Sequence, residues 1–597
     1  MALQRLRFAC SFVLLALLFT ALPALTATDG ATTVNALADE LLAHLSATNA
    51  NVRMQSGLPL TEFDPITIER AQAEAKFNQR MLARVDAVAL DKLPHQQWLL
   101  ANMLHHTFAS GAHADENYWF DFAVTPYAVG HSINRIHSML AAQPLQTAAD
   151  LDNYLHLLDS YAVMLDQVAA KTRAQAGRGV RVPKPAIPGV TATFRGLYAA
   201  ASNTLAPLQA RLADVSAAQA TAFNAAVQKR ITVRILPAYD AVVAIFDDAY
   251  THSAPDEVGI GRYAGGKERY LRLITDFTGL TITPREIYDL GERRIAELDQ
   301  RMQAIRDQLG FKGSREAFHE MLRKDPRFIA QSPPDVEKRY LGYVARMEPF
   351  IPKYFSTLPK APYGVRRLAL AAEKGMTYGY YDMPTPAEPS GYYNYNGSDL
   401  DKRSLITAQH LIYHELIPGH HLHLALQLEN ANVHPVRKFL EYGAFTEGWA
   451  EYAASLGEEM GLYADPYDLY GHLAMQSFLT SRLVVDPGMN YFNMSLPEAR
   501  AYMKAHTFES DMQIASETLR YSTDYFGQAI GYRLGYEKFW ELRRRAQQAL
   551  GPRFDIRDFH AAAIGEGAMP LDVLDEHIDW FIAQAPALRT SRTATHF

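Results

Sequence analysis

The feature that most limits the fold is the long recurrence of apolar residues at spacings of three and four. It runs from about Thr32 to Asp325, in segments such as LADELLAHL, DLDNYLHLLDSYAVMLDQVAA and AAQATAFNAAVQKRITVRILPAYDAVVAIFDDAY, and it resumes from about Arg403 to Ile582. Each such segment carries one apolar stripe, which is buried by packing helix against helix. Thr283-Pro284-Arg285-Glu286 marks one helix start, with threonine as cap, proline at the first helical position and glutamate at the third. A long amphipathic helix is expected after it, over IYDLGERRIAELDQRMQAI. Between about Pro359 and Asp399 tyrosine, proline and glycine take over, and LALAA and GYYNYN read as short strands joined by turns. The expected fold class is mainly α, with a small β-sheet just ahead of a histidine-rich helix.

The chain has 597 residues, 48% of them hydrophobic, enough to bury a large core. A net charge of -7 and a pI near 6.3 supply no basic field, so nucleic acid is not an expected partner. At the N-terminus Arg5 and Arg7 precede an apolar run from Phe8 to Leu25 and then small residues, the layout of a secretory signal peptide, with cleavage expected after Ala27. No other segment is apolar for long enough to span a bilayer, so no stable membrane insertion is expected after cleavage. The sole cysteine, Cys10, lies inside the apolar run and too early to follow it as a lipid-attachment cysteine. A periplasmic or secreted protein without disulfides is expected.

The chemistry concentrates in YHELIPGHHLH, Tyr413 to His423. A catalytic zinc takes three protein ligands and leaves a fourth position for water, and H-E-x-x-H on a helix supplies two of them with a glutamate beside the water. Here His414-Glu415 supplies the first half, but the residue four further on is Pro418. Proline lacks the N–H that would bond the carbonyl of residue 414, and Gly419 reaches conformations closed to other residues. In a regular helix His420 would be turned about 120° from His414. A turn opened like a π-bulge absorbs the two extra residues and returns His420 to the same face. His421 is a rival ligand on the same face but about 10 Å along the axis, and His410, one turn before His414, is another. The third ligand is expected from EYGAFTEGWAEYAASLGEEMG: Glu447, with Glu451 one turn later holding a histidine in its tautomer. A carboxylate amid Phe445, Trp449 and Ala450 is costly to bury unless it is paired or bound to metal.

HELIPGHH, EGWAEY and the later ETLRYSTDYFGQAIGYRLG together resemble the bacterial domain of unknown function 885 family, zinc metallopeptidases akin to the gluzincins. The likeness extends over most of the mature chain. It implies a large helical metallopeptidase-like fold, a zinc ion on His414, His420 and Glu447, and Glu415 as the general base. Phe526 stands where members often carry proline. Read from its own residues, the later segment places Tyr521, Tyr525, Gln528 and Tyr532 on one face if its helix is continuous, whereas Ser522-Thr523-Asp524 would break it. Tyr521 or Tyr525 is the expected donor to an oxyanion, and Arg520 the expected partner of a substrate carboxylate. GYYNYN, with Tyr393 and Asn396, is expected to offer a strand edge to an extended substrate.

The expected organisation is a signal peptide over 1–27, a mainly helical part over 28–325 and a catalytic part over 326–597 with the sheet and the zinc-site helices, the last two forming one continuous domain. The expected activity is hydrolysis of peptide bonds by an exported zinc metallopeptidase. The alternatives are a zinc hydrolase of non-peptide amides or amino-acid conjugates, and a non-catalytic binding or scaffold protein with a relic site. Glu415 argues against the last, since a structural zinc site needs no general base.

Overall fold

The computed structural model describes residues 27–373, 378–385 and 388–594. The expected signal peptide, with Cys10, lies outside the described residues but for Ala27, which opens the first helix. The elements that build and frame the site are α1 (Ala27–Thr48), α2 (Ala148–Gly177), α3 (Pro284–Gln308), α4 (Pro333–Met347), β1 (Tyr363–Arg367), β2 (Tyr380–Asp382), β3 (Gly391–Tyr395), α5 (Ala408–Glu415), α6 (His420–Glu429), α7 (Gly443–Glu459), α8 (Pro466–Asn490), α9 (Asp511–Leu519), α10 (Ile530–Leu550) and α11 (Leu571–Ala594). The protein is mainly α, as its apolar spacing requires.

Helix starts follow the sequence chemistry closely. At α3 the Thr283 side chain accepts from the Glu286 N–H while the Glu286 carboxylate accepts from the Thr283 N–H, and Thr147 with Asp150 repeats this box at α2. The main core runs from Val34 and Leu37 in α1 to Leu574 and Ile578 in α11, so both ends of the described chain meet in it. A second cluster, centred on Tyr154, Tyr161 and Tyr239, belongs to the N-terminal helices. At the centre lies α8, buried on every side from Tyr470 to Asn490. A helix so enclosed should be apolar all round, yet it carries His472, Gln476, Arg482 and Asp486.

The sheet has the order β1-β3-β2, with β1 parallel and β2 antiparallel to β3. Two expectations are corrected here. LALAA is not a strand: YGVRR just before it is, and Leu370–Glu373 forms a helical turn, in keeping with the helix-forming Leu and Ala. GYYNYN does form a strand, but it is the central one, and its ladder groups are used on both sides. It therefore has no edge to offer a substrate. Tyr393 is buried against Tyr340, and its hydroxyl accepts from the Gly379 N–H at 3.1 Å. Asn396 donates to the Glu373 carbonyl at 2.7 Å and accepts from the Ser398 N–H at 2.9 Å, a turn-closing role.

Glycine brings α7 and α10 together. A Cβ on Gly448 would lie 2.3 Å from the Cα of Gly535, and one on Gly535 would lie 2.0 Å from the Ala444 carbonyl oxygen. Both obstacles are backbone, so alanine must push the helices apart. Gly448→Ala is expected to lower unfolding stability in urea by about 1–3 kcal/mol, the usual cost of overpacking. An unchanged midpoint would show that the two helices separate freely.

Candidate metal centre

Helix α5 ends at Glu415, and α6 begins at His420. The expected bulge in a continuous helix is thus corrected to a full interruption. Pro418 has no N–H to extend the ladder, and the peptide before it is cis. The chain instead folds back, with the Gly419 N–H donating to the Tyr413 carbonyl at 3.0 Å and the His421 N–H to the Leu416 carbonyl at 3.1 Å. At Gly419 any Cβ would lie 1.8 Å from the His414 carbonyl oxygen, so only glycine fits. The reversal sets the His414 and His420 rings 4.5 Å apart and nearly perpendicular.

Glu447 of α7 completes the group. Its Oε2 lies 3.4 Å from His414 Nε2 and 3.4 Å from His420 Nε2, yet it is buried without a hydrogen-bond partner. Ligands on a tetrahedral zinc with bonds of 2.0–2.1 Å are separated by about 3.4 Å, so the two separations from Glu447 match edges of such a polyhedron. Charge agrees with geometry. Burial by itself would lower the pKa of His414, but Glu447 and Glu451 raise it to about 10. Burial works to raise the Glu447 carboxyl and is outweighed by His420 and His414, which hold it well below the usual range. Burial pushes the Glu415 carboxyl up, against the pull of His414 and His420. His414, His420 and Glu447 thus stand close enough together to hold a metal ion.

Glu451 orients the group from behind. His414 Nδ1 donates to Glu451 Oε1 at 2.7 Å, which fixes the ring with Nε2 towards Glu447. The same oxygen accepts from His410 Nε2 at 3.2 Å. His410, His414 and Glu451 also stand close enough to hold an ion, but these mutual hydrogen bonds already satisfy them. Beyond them His410 Nδ1 meets His472 Nδ1 at 2.7 Å, and His472 Nε2 donates to Glu458 Oε1 at 3.0 Å. His421 faces away: its Nδ1 bonds the Tyr381 hydroxyl at 2.9 Å and its Nε2 donates to the Ala361 carbonyl at 3.0 Å.

The tyrosines are arranged differently from the expected single face. Arg520–Asp524 forms a π-helical turn, and Gly527, with φ of 74°, reverses the chain before α10. Tyr521 is fully buried, its hydroxyl accepting from Arg482 Nε at 2.7 Å and donating to Glu517. Tyr525 packs against Tyr127. The ring beside the metal group is Tyr532, parallel to His414 at 6.4 Å, with no hydrogen bond to its hydroxyl among the described residues. Arg520 already donates to Glu517 at 3.1 Å and to Gln528 at 2.7 Å. Sequence reasoning passed over Tyr381, whose ring lies 6.4 Å from His420, and Arg482. The signal for Arg482 was present, since an arginine inside FLTSRLVV is out of place in an apolar helix.

The chain belongs to the family described as bacterial protein of unknown function (DUF885), whose model matches residues 48–578. Its fold is shared by two solved structures described as putative lipoproteins. One is from Colwellia psychrerythraea, with a TM-score of 0.82 and 22% identity over 94% of this chain and 100% of that one. The other, of unknown function, is from Shewanella oneidensis, with a TM-score of 0.70 and 17% identity over 92% and 99%. No curated protein matches the chain.

Metal content measured by elemental analysis tests the group. His420→Ala is expected to hold less metal than the native chain, and Gly419→Ala to behave alike because the reversal no longer closes. His421→Ala is expected to retain the metal; the opposite ranking would make His421 the ligand.

Proposed function

We propose that this protein is an exported zinc-dependent hydrolase of peptide bonds. The observation that carries the reading is the convergence of His414, His420 and Glu447 on a buried, unbonded carboxylate oxygen, with Glu415 next to His414 in sequence and under the same charges. His414, His420 and Glu447 would hold the zinc ion, which when bound would supply Lewis acidity to a carbonyl and to water. Glu415 makes no hydrogen bond or ion pair among the described residues, so its carboxylate is free to take a proton from water and pass it to the leaving amine. Tyr532, whose ring lies parallel to His414 at 6.4 Å, would donate a hydrogen bond to the oxygen that becomes negative as the carbonyl is attacked. Glu451 keeps His414 in the tautomer that presents Nε2.

A binding scaffold has no use for a buried carboxylate left without a partner, which costs free energy. Export follows from the leader expected at residues 1–27, and the two structures of the same fold, described as lipoproteins, agree with it. No helix among the described residues is long and apolar enough to cross a membrane.

The test is amine release from a mixed peptide pool, with and without a chelator. Glu415→Gln is expected to keep its zinc and lose about 10²–10⁴-fold in turnover, since the amide cannot accept the proton. Full activity in the zinc-loaded variant would assign the base elsewhere; no release by the zinc-loaded native chain would end the peptidase reading.

A further inference from the structure

Next to the metal group lies an imbalance of charge that the proposed chemistry does not use. Arg482 of α8 and Arg520 of the π-helical turn share a single close carboxylate, Glu517, at 3.2 and 3.1 Å. Both guanidinium groups are buried and charged at any ordinary pH. Two N–H donors remain unbonded, Arg482 Nη1 and Arg520 Nε. The nearest other acids are weak counter-charges: burial pushes Asp486 and Glu509 up to about 7, against the pull of their hydrogen bonds. Asp486 is held by Tyr270, Asn490 and the Gly527 N–H, and Glu509 accepts from Tyr378 at 2.9 Å.

The cluster is linked to the metal group through one ring. The Arg482 guanidinium lies over Tyr532 at 4.5 Å, and Tyr532 lies parallel to His414. On its outer side Arg520 stands 5.2 Å from the ring of Tyr127, an exposed residue. Two buried cations with one close anion call for a second anion, and each guanidinium keeps one buried N–H unbonded. In a peptide the terminal carboxylate is one residue beyond the last amide bond.

We propose that Arg482 and Arg520 receive the free α-carboxylate of the substrate, which makes the protein a carboxypeptidase that removes the last residue of a chain. The inference rests on the hydrolase reading for the bond cleaved. The final C–N bond breaks, water supplies OH to the acyl carbon and H to the amine, and a free amino acid leaves. Arg482 is the specificity residue; Arg520, with Nη1 and Nη2 already engaged, contributes through Nε.

The test uses one mixed-sequence peptide pool in two forms, free acid and carboxamide, and the zinc-loaded mature protein. Amino-acid release from the acid pool is expected to exceed cleavage of the amide pool by about 10²-fold or more in kcat/KM, the scale set by leaving buried donors unpaired. A second readout is thermal stabilisation of the metal-free chain, expected with the acid pool, absent with the amide pool and lost in Arg482→Gln. Equal cleavage of both pools at internal bonds would overturn the carboxylate site and leave the hydrolase intact. Acid-selective stabilisation with no cleavage would keep the site and remove the hydrolase; neither response would remove both. Should Arg482→Gln fail to fold, the two pools on the native chain decide.

Discussion

The constraint on which the site depends is the reversal between His414 and His420. Two imidazoles six residues apart face one carboxylate because the backbone abandons the helix for one turn and re-enters it displaced. That path is fixed from both sides. From within, Gly419 packs against the His414 carbonyl so closely that no side chain is tolerated. From without, the indole N–H of the fully buried Trp449 donates to the Pro418 carbonyl at 3.2 Å. Trp449 stands on α7, two residues beyond Glu447, so the helix that delivers the third ligand also holds the turn that delivers the second. The close approach of α7 to α10 through Gly448 and Gly535 then seats Tyr532 against His414.

Buried charge sets the second requirement. Glu451 accepts from His414 and His410, and the hydrogen-bonded line continues through His472 to Glu458, which Arg301 meets at 2.7 Å. A fully bonded line of this kind also fixes rotamers, which is what a metal ligand needs from its surroundings.

Much of this was readable from residues alone. The capping box at Thr283, the mainly helical class and the small sheet before the histidine helix all follow from local rules that tertiary packing did not override. The disturbance at the histidine motif was readable too, because proline and glycine act through the backbone itself, but it was read as an opened turn and is a full interruption. What escaped depended on contacts across the chain. LALAA formed a helical turn, since leucine and alanine have no strong strand preference, while the less conspicuous YGVRR paired with β3. The face of Tyr521, Tyr525, Gln528 and Tyr532 assumed a continuous helix, but Gly527 reverses the path, and the residue that arrives beside His414 is Tyr532. Arg482 was visible as a misplaced charge, though not what it would meet.

That misplaced charge belongs to a pattern along α8. His472 carries the hydrogen-bonded line from Glu451 on to Glu458, and Gln476 lies 3.5 Å from the other oxygen of Glu451 while accepting from Arg533 of α10 at 2.5 Å. Arg482 holds Tyr521 and Glu517, and Asp486 accepts from the Gly527 N–H and so fixes the reversal that brings α10 into place. One buried helix thus anchors the support of His414, the π-helical turn and the start of the helix bearing Tyr532. Each polar side chain on it costs free energy to bury and is retained where an apolar residue would pack with less penalty. Such a helix cannot slide or rotate without breaking several bonds at once. The histidine helix, interrupted and short, supplies the ligands, while the continuous helix behind it supplies the rigidity that keeps two nitrogens and one oxygen at metal-binding separation.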